Sequence, residues 1–113
     1  MKAILKDQDV NFFLTKVEKS FPNFVAGIIT DRHGFPIASK IPINFQFNET
    51  ELALSAISGD RDIINDSRFL KVKRNLNEEK SIKLFFLLQK LKSNGYINRF
   101  KNLKEIIERQ NLF

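Results

Sequence analysis

The first apolar positions of the chain predict a helix. They recur at spacings of three and four residues, the period of one helix face: Val10, Phe13, Leu14, Val17 and Phe21. Asp7 or Asp9 is placed to cap the start of this helix. Pro22 ends it, because the residue before a proline avoids helical backbone angles.

The next segment predicts a β-hairpin. Residues 24–30 are apolar and β-branched, and residues 35–40 return as a second strand. Between them, residues 31–34 form a turn in which Gly34 is able to take a positive φ. Pro36 has no N–H to donate, so we place the second strand at an edge of the sheet.

A second helix is predicted from Asn48 onward. Asn48 and Glu51 have the spacing of a capping box. The apolar and small residues of this segment form one inward stripe with flanking positions: Leu52, Ala56, Gly59 and Ile63, with Ala53, Ile57 and Ile64 beside them. Gly59 weakens the helix interior by about 1 kcal/mol relative to alanine, so either the helix frays there or a close contact offsets the loss. The small residues allow close approach of another backbone, which is either the chain's own sheet or a second helix.

The second half of the chain predicts two further strands and a closing helix. Residues 69–76 alternate apolar and basic side chains, as in a half-exposed strand. Residues 81–91 are the most apolar stretch and predict a central strand covered on both faces. A last helix contains Phe100 and Leu103, and the segment 96–100 is either a short strand or its first turn.

These elements predict an α/β sandwich of the α+β type in a single domain over residues 1–113. The order is α-β-β-α-β-β-α, with one additional strand possible before the last helix. We expect one mixed or antiparallel sheet of four to five strands with helices on both faces.

Composition narrows the class of protein. The chain has 113 residues, is 42% hydrophobic and 28% charged, and contains no cysteine. This is typical of one soluble globular domain without disulfides or thiolate metal sites. No apolar run is long enough to span a bilayer, and the charges of Lys6 and Asp7 follow too soon after Ile4 and Leu5 for a secretory signal. We therefore expect a cytoplasmic protein.

The polar residues do not assemble into a recognisable catalytic group. His33 is the only histidine and falls in the predicted hairpin turn. Asp60 and Asp62 could form a metal or catalytic pair, but a solvated helix turn is the strongly favoured explanation. We expect a non-enzymatic protein with no metal and no cofactor.

The net charge of +6 favours an acidic partner. Basic residues are concentrated in the predicted second hairpin: Lys71, Lys73, Arg74, Lys80 and Lys83. A solvated basic face is the favoured interpretation, and an acidic protein partner or a surface that binds nucleic acid or an anionic membrane is also compatible with this pattern. Surfaces that bind nucleic acid usually interleave such charges with exposed aromatic rings, whereas the neighbouring phenylalanines occupy apolar-face positions.

The segment from Phe21 to Lys40, FPNFVAGIITDRHGFPIASK, resembles the Roadblock/LC7 family. That family opens with a helix, a short apolar strand, an Asp-x-x-Gly turn and a Pro-Ile-Ala-Ser return strand. The acidic second helix with small residues and the closing helix are also similar. One departure is that the family has three strands between its second and third helices, whereas two are clear here; the other lies around residues 63–68 or 96–100.

The resemblance implies a dimeric scaffold that binds small Ras-like GTPases. Family members form homodimers or heterodimers by pairing their second helices and the strand that follows. Carried to this chain, the candidate dimer contacts are Leu52, Ala53, Ala56, Ile57, Gly59, Ile63, Leu70 and Val72. The expected partners are a second copy or a related Roadblock subunit, together with a small GTPase. A longin- or profilin-like domain is a further reading with a similar arrangement of sheet and helices.

Overall fold

The computed structural model describes residues 7–58, 64–90 and 97–110 of the chain. Within these residues, pairs of strands lie between successive helices, in the predicted order. They are α1 (Asp7–Ser20), β1 (Phe24–Asp31), β2 (Pro36–Lys40), α2 (Glu49–Ile57), β3 (Phe69–Asn75), β4 (Ile82–Gln89) and α3 (Ile97–Glu108).

The four described strands form one antiparallel sheet in the order β2-β1-β4-β3. β1 and β4 are the central pair, with Ile28 opposite Phe85 and Gly27 opposite Phe86. β2 lies at an edge, as the proline at its start predicts. The predicted α+β sandwich with helices on both faces of a single sheet is confirmed.

Two apolar cores lie on opposite faces of this sheet. On one face, α1 and α3 pack over alternate strand residues: Ile29, Ala38, Val72, Leu84, Phe86 and Leu88. On the other face, α2 packs over the intervening residues: Ala26, Ile28, Phe85 and Leu87. Because both central strands are covered on both sides, they are apolar at nearly every position, as the sequence of residues 81–91 predicts.

Aromatic contacts connect the first core. The Phe21 ring lies 5.2 Å from the Phe86 ring and 5.5 Å from the Phe100 ring, centre to centre. Phe24 stacks on Phe86 at 5.8 Å. Gly27 leaves room for this stack, since a Cβ there would lie 2.8 Å from the Phe24 ring. These contacts attach α1 and α3 to the central strand β4.

The β1–β2 turn is organised by Asp31. One carboxylate oxygen, Oδ1, accepts hydrogen bonds from the backbone N–H groups of His33 at 2.8 Å and Phe35 at 3.0 Å. Gly34 has a φ of 86°, in the left-handed region that favours glycine. A Cβ at this position would also lie 2.9 Å from Cδ1 of Ile57 in α2, so the turn packs closely against the second helix.

The predicted length of the second helix is wrong. The capping box of Asn48 and Glu51 starts it as expected, but α2 ends at Ile57. Ser58 has an extended backbone, with a ψ of 144°, and its hydroxyl donates to the Ser55 carbonyl at 3.1 Å. The helix therefore ends before Gly59, the residue least favourable to a helix interior in this segment. Ile64 is buried in the second core from outside the helix.

The position of a fifth strand is partly resolved. Residues 64–68 form a bend and a turn, and residues 97–100 are the first turn of α3. Neither segment is a strand. The remaining parts of the two predicted positions, Ile63 and Tyr96, fall outside the described residues.

Gly34→Ala should lower the free energy of unfolding by about 1–2 kcal/mol, because an L side chain is strained at this φ. The added Cβ also meets Ile57. Urea denaturation measures this loss.

The same substitution in an Ile57→Ala background is the control for the steric part. The loss should be smaller there but not zero, because the backbone strain remains. Equal stability of Gly34→Ala and the parent chain would contradict this account of the turn.

Candidate interaction surfaces

The predicted helix stripe faces the chain's own sheet. Leu52, Ala53 and Ala56 are buried in the second core beneath α2. Their side chains are in contact with the sheet and are not available to a second subunit. The prediction that they form a dimer surface is therefore corrected: the small residues allow α2 to approach the sheet closely.

The dimer contacts predicted on β3 lie on the face of the sheet opposite to α2. Val72 is buried, and Leu70 is half-buried, in the core under α1 and α3. They therefore do not lie on the side of α2, because alternate strand residues point to opposite faces. Ile57 is half-buried at the end of α2, against Gly34. Gly59 and Ile63 lie outside the described residues, as do Asp60 and Asp62.

The outward face of α2 carries a different apolar residue. Leu54 is 44% exposed, and it lies on a line with Thr50 and Ile57, at spacings of four and three. Sequence reasoning missed Leu54 because the inward stripe accounts for the apolar residues on either side of it. Its distinguishing signal is that it is a large aliphatic residue outside that stripe.

β3 is the terminal strand of the described sheet, next to β4 alone. Two of its lysines extend over the face on which α2 lies. The Lys71 ammonium donates to the Ile64 carbonyl at 2.9 Å, and the Lys73 ammonium donates to the Ser58 carbonyl. These two bonds attach β3 to the two ends of the segment that connects it with α2. Lys73 also places a cation at the carbonyl end of α2, where the helix dipole favours it.

The other predicted basic residues do not form one continuous surface with these lysines. Arg74 points to the α3 face, where its guanidinium lies 5.9 Å from the Phe100 ring centre. Lys83 donates to Asn75 Oδ1 at 3.0 Å, and Lys80 lies in the β3–β4 turn with a φ of 58°. The five residues are thus distributed over two faces and a turn, and several are occupied by contacts within the chain.

A polar cluster fixes the start of β3. The Arg68 guanidinium donates to both carboxylate oxygens of Asp66 and, at 2.7 Å, to Oε1 of Gln46. Gln46 closes the cluster by donating its amide to Asp66 Oδ2 at 2.6 Å. Hydrogen bonds from Arg68 hold the pKa of Asp66 well below its ordinary value. The cluster joins the loop before α2 to the turn before β3.

The described residues contain no group of three or more histidine or acidic side chains arranged to hold a metal ion. His33 is exposed in the turn, where the sequence places it. None of the helices within the described part of the chain is long and apolar enough to cross a membrane.

Comparison with known proteins gives no further assignment: no family model, curated protein or solved structure matches this chain significantly.

Asp66→Asn should destabilise the chain at neutral pH and less so in acid. A lowered pKa in the folded state means that the carboxylate stabilises the fold fully above its ordinary value of 3.8. That contribution is lost as the pH falls below 3.8 towards the lowered folded value. Urea midpoints at pH 7 and pH 3 should therefore show a smaller difference between parent and variant at the lower pH.

Glu79→Gln, in the exposed β3–β4 turn, is the matched control. It removes one carboxylate without disturbing the cluster. A difference between parent and Asp66→Asn that stays constant with pH would contradict the role given to this ion pair.

Proposed function

We propose that this protein is a non-enzymatic adaptor that forms a dimer through β3 and the outward face of α2. The second subunit is another copy or a related Roadblock-type chain. The observation that carries the proposal is the place of β3: the strand that follows α2 is the terminal strand of the described sheet. This is where a strand must lie for a second chain to extend the sheet.

The outward face of α2 provides the apolar part of the proposed contact. α2 is the only described helix on its side of the sheet, and it packs on β1, β2 and β4. Leu54 is exposed on it, and Ile57 is partly so. A second helix resting there would cover Leu54 while the two sheets join along β3. The contact residues proposed for α2 thus move from the buried stripe to Leu54 and Ile57.

We further propose that the adaptor binds a small Ras-like GTPase. The support for this step is the resemblance of residues 21–40 to the Roadblock/LC7 family, and the net charge of +6 favours an acidic partner surface. The scaffold would position the GTPase beside other proteins, and whether it also regulates nucleotide hydrolysis is a separate question from binding.

Leu54→Glu should convert the dimer to a monomer, because it places a charge in an apolar contact. Light scattering after size exclusion should give the parent a mass near twice 13.2 kDa at both low and high salt. The variant should dissociate at least tenfold more readily, as expected for an apolar contact worth more than about 1.4 kcal/mol.

Ile43→Glu is the matched control, because Ile43 is 92% exposed in the loop between β2 and α2. It adds the same charge at another exposed aliphatic residue and should leave the mass unchanged. A parent chain that is monomeric at every salt and protein concentration would rule out the homodimer. Co-expression with candidate subunits then tests the heterodimer.

The GTPase proposal is tested by a separate binding screen. Purified Ras-like GTPases loaded with GDP or a non-hydrolysable GTP analogue are passed over the immobilised adaptor. Retention of a GTPase supports the proposal, and failure of the whole panel to bind contradicts it, whatever the oligomeric state.

Nucleic-acid binding through Lys71, Lys73, Arg74, Lys80 and Lys83 is the alternative proposal. The observation that favours this alternative is that Lys71, Lys73 and Lys83 lie on the same side of the sheet. It predicts affinity for a short duplex that falls steeply between about 50 and 200 mM salt, because each phosphate contact releases counterions. Fluorescence anisotropy measures this, and the absence of binding at low salt would contradict the alternative.

A further inference from the structure

A groove of about 390 Å³ lies between α1 and α3, on the face of the sheet opposite to α2. Its apolar floor is formed by Phe13, which is buried, and Ile106, which is half-buried. Lys16 borders it on the α1 side, and Glu105 and Arg109 border it on the α3 side. It is remote from β3's lysines and from Leu54, which belong to the α2 side.

An exposed aromatic ring lies next to Lys16, one of the residues that line this groove. Phe12 is 63% exposed, although the first core lies directly beneath the same helix. The Lys16 ammonium lies 4.9 Å from the centre of this ring, which places Phe12 beside the groove. A large ring held at the surface next to an apolar floor is the arrangement that protein contacts use as an anchor.

The charges around the groove define its occupant. Of the charged residues that line it, Lys16 and Arg109 are exposed cations, against the single carboxylate of Glu105. None of these three forms an ion pair with another described residue. The free charges therefore favour an acidic ligand, with one basic group accepted opposite Glu105.

We propose that the α1–α3 groove binds an amphipathic helix of a partner protein, with its apolar face on Phe12 and Ile106 and acidic residues towards Lys16 and Arg109. Two packed helices present ridges that receive a third helix between them. An anionic membrane also attracts exposed phenylalanine and lysine, but this surface is concave and includes Glu105, both of which oppose flat contact with lipid phosphates. The helix is therefore the better fit.

This groove lies away from the proposed dimer contact, so a dimer could bind a further partner through it. Because α1 and α3 lie on the face away from α2, a helix bound here leaves both α2 and β3 accessible. The adaptor would then hold a helical partner on one side of the sheet while the other side takes part in dimer formation.

The probe is a synthetic, fluorescently labelled peptide of about 18 residues, long enough to hold a helix. Leucines at spacings of three and four form one face, and glutamates flank it. We expect saturable binding by anisotropy, and changes in amide NMR signals restricted to α1 and α3. Two comparison peptides, one with scrambled leucine positions and one with lysine in place of glutamate, should each bind at least tenfold more weakly.

Paired variants test the site on the protein. Phe12→Ala should weaken peptide binding about tenfold, whereas Phe35→Ala, which removes an equally exposed ring (67%) in the β1–β2 turn, should have no effect. Lys16→Glu combined with Arg109→Glu should reverse the preference, so that the lysine peptide binds more tightly. Both positions are exposed, so folding should be retained, and circular dichroism checks this.

Three outcomes would overturn the proposal. The first is no binding of the acidic peptide at millimolar concentration. The second is equal binding by the scrambled peptide or by Phe12→Ala. The third is Phe12-dependent binding to vesicles containing phosphatidylserine without peptide binding, which would assign the surface to a membrane. None of these results depends on whether the protein is a dimer or binds a GTPase.

Discussion

The pairing of β1 with β4 is the contact on which the rest of the structure depends. These two strands are the only described ones with a neighbour on each side, and their side chains supply both apolar cores. Phe85 and Leu87 point towards α2, whereas Phe86 and Leu88 point towards α1 and α3. A shift of one residue in this pairing would exchange the two sets of side chains between the faces, so the register is strongly specified. The helices, the edge strands and the surfaces between them all take their positions from this pair.

The sequence predicts correctly those elements whose residues are suited to only one kind of local structure. The capping box of Asn48 and Glu51 and the turn at Asp31 and Gly34 are local devices, and each is found where its residues place it. The apolar run of β4 is also unambiguous, because only a strand covered on both faces needs side chains of that kind throughout. The resemblance to a known family stays a prediction, since no comparison bears on it.

The surfaces were harder to predict because they depend on which face a residue presents after packing. The small residues of α2 are equally suited to a sheet or to a second helix, and only the folded chain shows that they meet the sheet. The end of α2 is set at Ser58, whose backbone is extended, although no strong helix-stop residue precedes Gly59 in the sequence. The α1–α3 groove joins residues separated by about ninety positions in sequence, such as Lys16 and Arg109. No local pattern relates two positions so far apart.

Pro36 gives the sheet two unequal edges. β2 has five residues, begins at a proline that has no N–H, and is displaced by a register shift beside Thr30. Short strands, prolines and bulges of this kind discourage the addition of another strand. β3 is longer and contains no proline. Strand addition is therefore favoured at β3 over β2, so a pair of chains joined through β3 would present only the less receptive β2 edges to further copies.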